Sequence, residues 1–184
     1  MVQSVELLLE PEAERGVLRA WGDLLQAGLP SQARHTGPSN RPHVTLVAVP
    51  DLAAAAEDDV TPAVAGRLPV DGTWGDVVLF GRGPWVLVRR LEPGDGMRAL
   101  QAAVADACGV PGDSLSAPER WTAHVTLARR VSQPDVDRAV HLVRERLGRE
   151  APVGSPVVAS AVRRWDGSRK VEWVVARAGG GGQP

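Results

Sequence analysis

The chain contains no tyrosine, one phenylalanine (Phe80) and one cysteine (Cys108) among its 184 residues. A single cysteine excludes an internal disulfide and fits the reducing conditions of a cytoplasm, which is the expected location. Aromatic residues make up 4% of the chain, so few rings are left to recognise a base. Neither sign of charge is in excess. Twenty-one Lys and Arg against 22 Asp and Glu give a net charge of −1 and a pI near 6.4. That balance argues against broad, charge-driven adhesion to nucleic acid or to an anionic membrane. Any contact with nucleic acid is expected to be local, at an end or with a small fragment. No apolar run approaches the ~20 residues of a membrane span. The amino terminus lacks the basic and then apolar stretch of a secretion signal, so none is expected. The length suits one domain, or two closely packed lobes, with a proper core.

What the chain does have is a tetrapeptide used twice, His43-Val44-Thr45-Leu46 and His124-Val125-Thr126-Leu127, 81 residues apart. Both copies sit in runs that read as buried strands, Pro42 to Val49 and Thr122 to Val131. Successive strand side chains point to opposite faces. His and Thr therefore share one face, and Val and Leu the other. Four residues thus supply a core face and a polar working face, and they do so twice.

Around these motifs the periodicity predicts an ordered series of elements. Val2 to Leu9 reads as a strand. Pro11 to Ala27 reads as an amphipathic helix with Val17, Leu18, Trp21, Leu24 and Leu25 as its apolar positions. Gly28 to Arg41 is a loop, and Asp51 to Ala65 a short Ala-rich helix. Val77 to Phe80 and Trp85 to Leu91 form a strand pair across Gly81-Arg82-Gly83-Pro84. A helix lies between Gly96 and Gly109. The last helix carries Val136, Ala139, Val140, Val143 and Leu147, and Val157 to Trp165 with Lys170 to Ala178 make a closing hairpin. Residues 1–178 are expected to form a single α+β domain, with 179–184 a disordered Gly-rich tail. The expected architecture is two pseudo-symmetric lobes, antiparallel-leaning sheets with outer helices, around a central groove that receives one His-x-Thr strand from each lobe.

Paired imidazoles and hydroxyls suit acid–base cleavage of a phosphodiester. Water attacks phosphorus, one group removes the proton of that water, and another protonates the departing ribose oxygen. Imidazole serves both roles because its ordinary pKa of ~6.5 lies near neutrality. Threonine hydroxyls can donate to the non-bridging oxygens, and an arginine can grip the phosphate bidentately. A metal site is the natural competitor. No His-Glu-x-x-His helix, Cys-x-x-Cys pair or carboxylate near either motif supports one, so no metal or cofactor is expected. Asp51 and Glu119 are the nearest acids, both in loops.

The remaining candidates have blander readings. His35 reads as exposed loop, His141 as a surface residue of the last helix, Cys108 as small apolar packing and Trp21 as helix core. Trp85, Trp121 and Phe80 default to core packing. Trp121, three residues before His124, is the best placed of them to stack on a base. Arg34, Arg41, Arg89 and Arg120 read as solvated surface, with a groove lining as the alternative.

The motif pair and its strand context resemble the 2H phosphoesterase superfamily, named for paired His-x-Thr/Ser motifs. Within it the chain is similar to the bacterial 2′-5′ RNA ligase or RNA 2′,3′-cyclic phosphodiesterase group. The resemblance runs from Val2 to about Ala178 and includes an arginine after the second motif, Arg129. It implies a phosphodiesterase that opens 2′,3′-cyclic phosphates on RNA ends or small nucleotides to 2′-phosphates, expected from the sequence itself to be metal-independent and to need no more than a monomer. It also implies that His43 is the general acid, His124 the general base, and Thr45, Thr126 and Arg129 the phosphate contacts. On the second strand the two lines of reasoning differ. Strict alternation from His124 puts Arg130, not Arg129, on the His and Thr face, unless a bulge or the strand's end follows Leu127. Ligation or cleavage of a 2′-5′ linkage, or a nucleotide- or RNA-end-binding module without turnover, are the alternatives.

Overall fold

The computed structural model describes residues 2–50, 52 and 54–179. Seven strands and four helices follow one another there in the order expected from the sequence: β1 (Gln3–Leu9), α1 (Pro11–Gln26), β2 (His43–Val49), α2 (Ala54–Val64), β3 (Val70–Phe80), β4 (Trp85–Pro93), α3 (Asp95–Ala107), β5 (His124–Val131), α4 (Val136–Glu150), β6 (Pro156–Asp166) and β7 (Val171–Arg177). Asp51, the expected start of the second helix, and residues 180–184 of the Gly-rich tail lie outside the described residues.

Burial of one stripe explains the helices. Along α1, Val17, Ala20, Trp21 and Leu24 are buried, Pro11 opens the first turn, and Glu12 and Glu14 complement the positive end of the dipole. Val136, Ala139, Val143 and Leu147 make the equivalent stripe on α4, and His141 stands in solvent on its other side.

The strands form one antiparallel sheet, in the order β2-β1-β6-β3-β4-β5, with β7 on β6. The expected α+β class holds, but the separate sheets do not. The eleven-residue β6 joins them: Pro156 to Ala159 pair with β3, and Ala159 to Asp166 pair with β1. β2 and β5 end this order, yet they touch each other. The sheet therefore curls until its two ends meet. Helix α1 packs on α4 and β5, and α3 packs on α2 and β2, over one continuous apolar core.

An edge strand presents unpaired backbone groups that need cover. Here the cover is reciprocal. Trp121 Nε1 donates to the Thr45 carbonyl at 2.8 Å, and Trp21 Nε1 to the Thr126 carbonyl at 3.0 Å. Each edge strand is thus tied, at its motif threonine, to a tryptophan held elsewhere in the fold.

Candidate active site

In both motifs the period-2 pattern is realised. Val44, Leu46, Val125 and Leu127 are buried, while His43, Thr45, His124 and Thr126 are half-buried. Among the described residues neither threonine hydroxyl is engaged by another side chain or backbone group, so both are available to a ligand.

Each imidazole is oriented by its own chain. His43 Nδ1 lies 2.7 Å from the Arg41 carbonyl, and His124 Nδ1 lies 2.7 Å from the Thr122 carbonyl. A carbonyl only accepts, so Nδ1 carries the hydrogen in both rings, and Nε2 is the nitrogen left for chemistry. A neutral ring in this tautomer offers Nε2 as a base. A charged ring offers Nε2–H as an acid.

The two rings have unlike surroundings. His43 Nε2 is 3.5 Å from Glu6 Oε1 on β1. Glu6 also accepts from Arg163 Nε at 2.7 Å and from Ser4 Oγ at 2.6 Å. Burial opposes the Glu6 charge, but the charges of His43 and Arg163, with the bonds from Ser4 and Arg163, hold its carboxyl below the usual range. Arg163 Nη2 stands 3.4 Å from His43 Nδ1; both nitrogens donate, so that contact is one of charge rather than a hydrogen bond. His124 has no carboxylate partner among the described residues. Phe80 meets it edge to face, with ring centroids 4.9 Å apart. Burial, first, and then the charges of His43 and Arg129 hold His124 below its ordinary value of 6.5, against the hydrogen bond to Thr122.

The backbone of β5 departs from strict alternation just before Arg129 and Arg130. Leu87 pairs with Ala128 but Val88 with Thr126, and Trp85 pairs with Val131, so β5 carries an extra residue twice. The first bulge lets Leu127 and Ala128 both be buried, and the second sets Arg130 at φ 57°, in the left-handed region. Strict alternation therefore fails beyond Thr126. Arg129 and Arg130 both line a cavity of 1470 Å³ together with Glu6, His43 and Arg163. His124, Thr45 and Thr126 are not part of that lining; His124 is linked to it through the charges of His43 and Arg129.

Other candidates fall in varied places. His35 and Arg34 line the same cavity. Arg41 makes two hydrogen bonds of 2.8 Å with Glu14, and Arg120 donates to the Asp113 carbonyl. Trp85 Nε1 donates to Gln133. The Trp121 ring packs against the core with its N–H committed to Thr45. Arg89 corrects the reading of a solvated side chain. It is 2% exposed, because it pairs with Val125 on the core side of β4, and its guanidinium lies 4.2 Å from the centre of the Trp74 ring. Burial lowers its pKa to about 10, and Nη2 donates to the Ala151 carbonyl just after α4. The sequence reading missed Glu6 and Arg163. Their only signal is a charge inside otherwise apolar strands, Val5-Glu6-Leu7 and Ala161-Val162-Arg163.

Residues 10–169 match the model of the 2′-5′ RNA ligase superfamily. The chain belongs to that family. Among solved structures, this superfamily member is similar to E. coli LigT in apo form, at 14% identity and a TM-score of 0.57 over 96% of this chain and 95% of that one. The structure of E. coli LigT complexed with 3′-AMP matches at 15% identity and a TM-score of 0.51, over 95% and 98% of the two chains. Kluyveromyces marxianus Usb1 matches at 8% identity and a TM-score of 0.52, over 95% and 97%. Among curated proteins, none matches in sequence. At these identities the similarity shows the fold alone. No helix among the described residues is long and apolar enough to cross a membrane.

Proposed function

We propose that this superfamily member is a metal-independent phosphodiesterase that opens 2′,3′-cyclic phosphates on RNA ends or small nucleotides. The observation that carries this reading is the matched pair of imidazoles, each with Nδ1 fixed by a carbonyl and Nε2 left for proton transfer. His124, held toward its neutral form, removes a proton from the attacking water. His43, beside the Glu6 carboxylate, protonates the leaving ribose O3′. The P–O3′ bond breaks as the new P–O bond forms, and a 2′-phosphate remains. Thr45, Thr126 and Arg129 hold the non-bridging oxygens, whose charge grows in the transition state. The LigT relative's complex with 3′-AMP supports a nucleotide in this site. We assign the base contact to Phe80, which touches His124, ahead of Trp121. The two motifs play this part from two pseudo-symmetric halves facing a central groove, working as a monomer.

The test is direct. Purified protein incubated with a 2′,3′-cyclic nucleotide yields a 2′-phosphomonoester, read by phosphorus NMR. Binding without turnover would instead make the protein a nucleotide-binding module, and turnover confined to 2′-5′-linked dinucleotides would make it a ligase-type enzyme. The pH profile is a second expectation. The reaction needs a neutral base and a charged acid together, so kcat/KM rises and then falls with pH. Because the shift on His124 is downward, the rising limb has its midpoint below 6.5. A midpoint clearly above 6.5 would remove His124 from the role of base. Turnover is also expected to survive dialysis against a chelator, since His43 and His124 act by proton transfer alone. Loss on dialysis, restored by one divalent ion, would replace this scheme with metal-assisted hydrolysis.

A further inference from the structure

We infer that Glu6, a buried carboxylate 3.5 Å from His43 at the head of a chain of charges that runs through Arg163 to the exposed Glu172, is a positioning residue that makes His43 the proton donor of the pair. The inference rests on the acid and base roles proposed above and adds the device that makes them unequal. Glu6 is 5% exposed and Arg163 4% exposed. Arg163 bonds Glu6 through Nε and Glu172 through Nη1, and it also donates to the Ser39 carbonyl at 2.9 Å. Arg163 is thus shared between the buried Glu6 and the exposed Glu172, and Glu172 also faces Arg41. A buried charge needs a partner. Arg163 is one such partner of Glu6, and the imidazolium of His43, 3.5 Å away, is a second.

That 3.5 Å separation also suits the role. It is long for a hydrogen bond, so Glu6 favours the charged ring without holding the Nε2 proton that must be delivered. The register explains why only one ring has this help. Glu6 lies directly across from Thr45 on β1, while the residue across from Thr126 on β4 is Val88. The corresponding place is thus ionic beside one motif and apolar beside the other. The other charges here are mixed: Arg129 and Arg130 from β5, Arg34 from the loop before β2 and Lys170 line the cavity together with the acid Asp135, and Arg163 Nη2 stands 3.4 Å from His43 Nδ1. Glu6 is the carboxylate that offsets the cations at His43, and among the described residues no carboxylate pairs with His124.

The test compares Glu6→Gln and Glu6→Asp with wild type on a 2′,3′-cyclic nucleotide and on a nucleoside p-nitrophenyl phosphodiester, whose leaving group departs without a proton. The glutamine keeps the shape and removes the charge. It is expected to lower turnover of the cyclic substrate by about 10- to 100-fold, part of the 10²–10⁴ that a positioned acid supplies. Turnover of the activated diester should be nearly unchanged. The falling limb of the pH profile should move to lower pH, with the rising limb in place, and Glu6→Asp should recover part of both effects. An equal loss on both substrates with an unmoved falling limb would show a merely structural residue and overturn the inference. Should Glu6→Gln not fold, Glu172→Gln at the more exposed end of the same chain of charges carries the same comparison with a smaller shift. Failure of the reading beneath is seen separately: His43→Ala would then gain nothing from the activated diester.

Discussion

His43→Ala and His124→Ala each lower turnover of a 2′,3′-cyclic nucleotide by about 10²–10⁴, the scale of a positioned proton transfer. The two losses differ in kind. A substrate whose leaving group needs no proton restores most of the rate to His43→Ala and little to His124→Ala. The direction follows from the surroundings: a carboxylate 3.5 Å from His43, and burial, a phenyl edge and cationic neighbours at His124. Rescue of His124→Ala instead would reverse the two roles. Near-wild-type turnover in both folded variants would remove the pair from the chemistry altogether. Thr45→Val and Thr126→Val are expected to be milder, since each deletes one hydroxyl and keeps the shape of the strand.

Leu127→Ala has the largest expected effect on stability. Leu127 is wholly buried and is the extra residue of the first bulge on β5. Truncating it leaves a cavity and costs about 2–5 kcal/mol. The loss is read as a lower denaturant midpoint with an unchanged slope. Because this bulge sets the course of the strand toward Arg129, substrate affinity should weaken as well, even where the variant is fully folded. A cost well under 1 kcal/mol would mean that the bulge closes over the gap without strain.

The order of elements was legible because their periods are clean. Alternation marked the motif strands, and 3–4 spacing marked α1 and α4. The histidines and threonines were legible because they repeat. Three features were not. The pattern starts the strand at Val77, yet β3 begins at Val70. Gly72 allows the close approach of β4 there: a Cβ would lie 2.6 Å from the Glu92 carbonyl. The bulges on β5 follow from pairing with β4, and the sequence pointed to one only through the disagreement over Arg129 and Arg130. Glu6 is a lone charge within the strand Val2 to Leu9, and nothing nearby in sequence names its partner. In the fold β1 is flanked by β2 and β6, all seven of its residues are buried, and the partner of Glu6 stands 157 positions away.

The curl of the sheet has a consequence for when the protein becomes competent. His43 and His124 stand on the first and last strands of the hydrogen-bonded order, and those strands touch only because the ends come round. Every pairing between them must be in register first, since a slip of one residue turns a strand's side chains to the opposite face. Such contacts between distant segments form slowly, after their loop-closure cost is met. Turnover during refolding should therefore lag behind secondary structure and appear with the last pairing, and neither half of the chain alone should show any. The reaction itself is a gauge of ring closure.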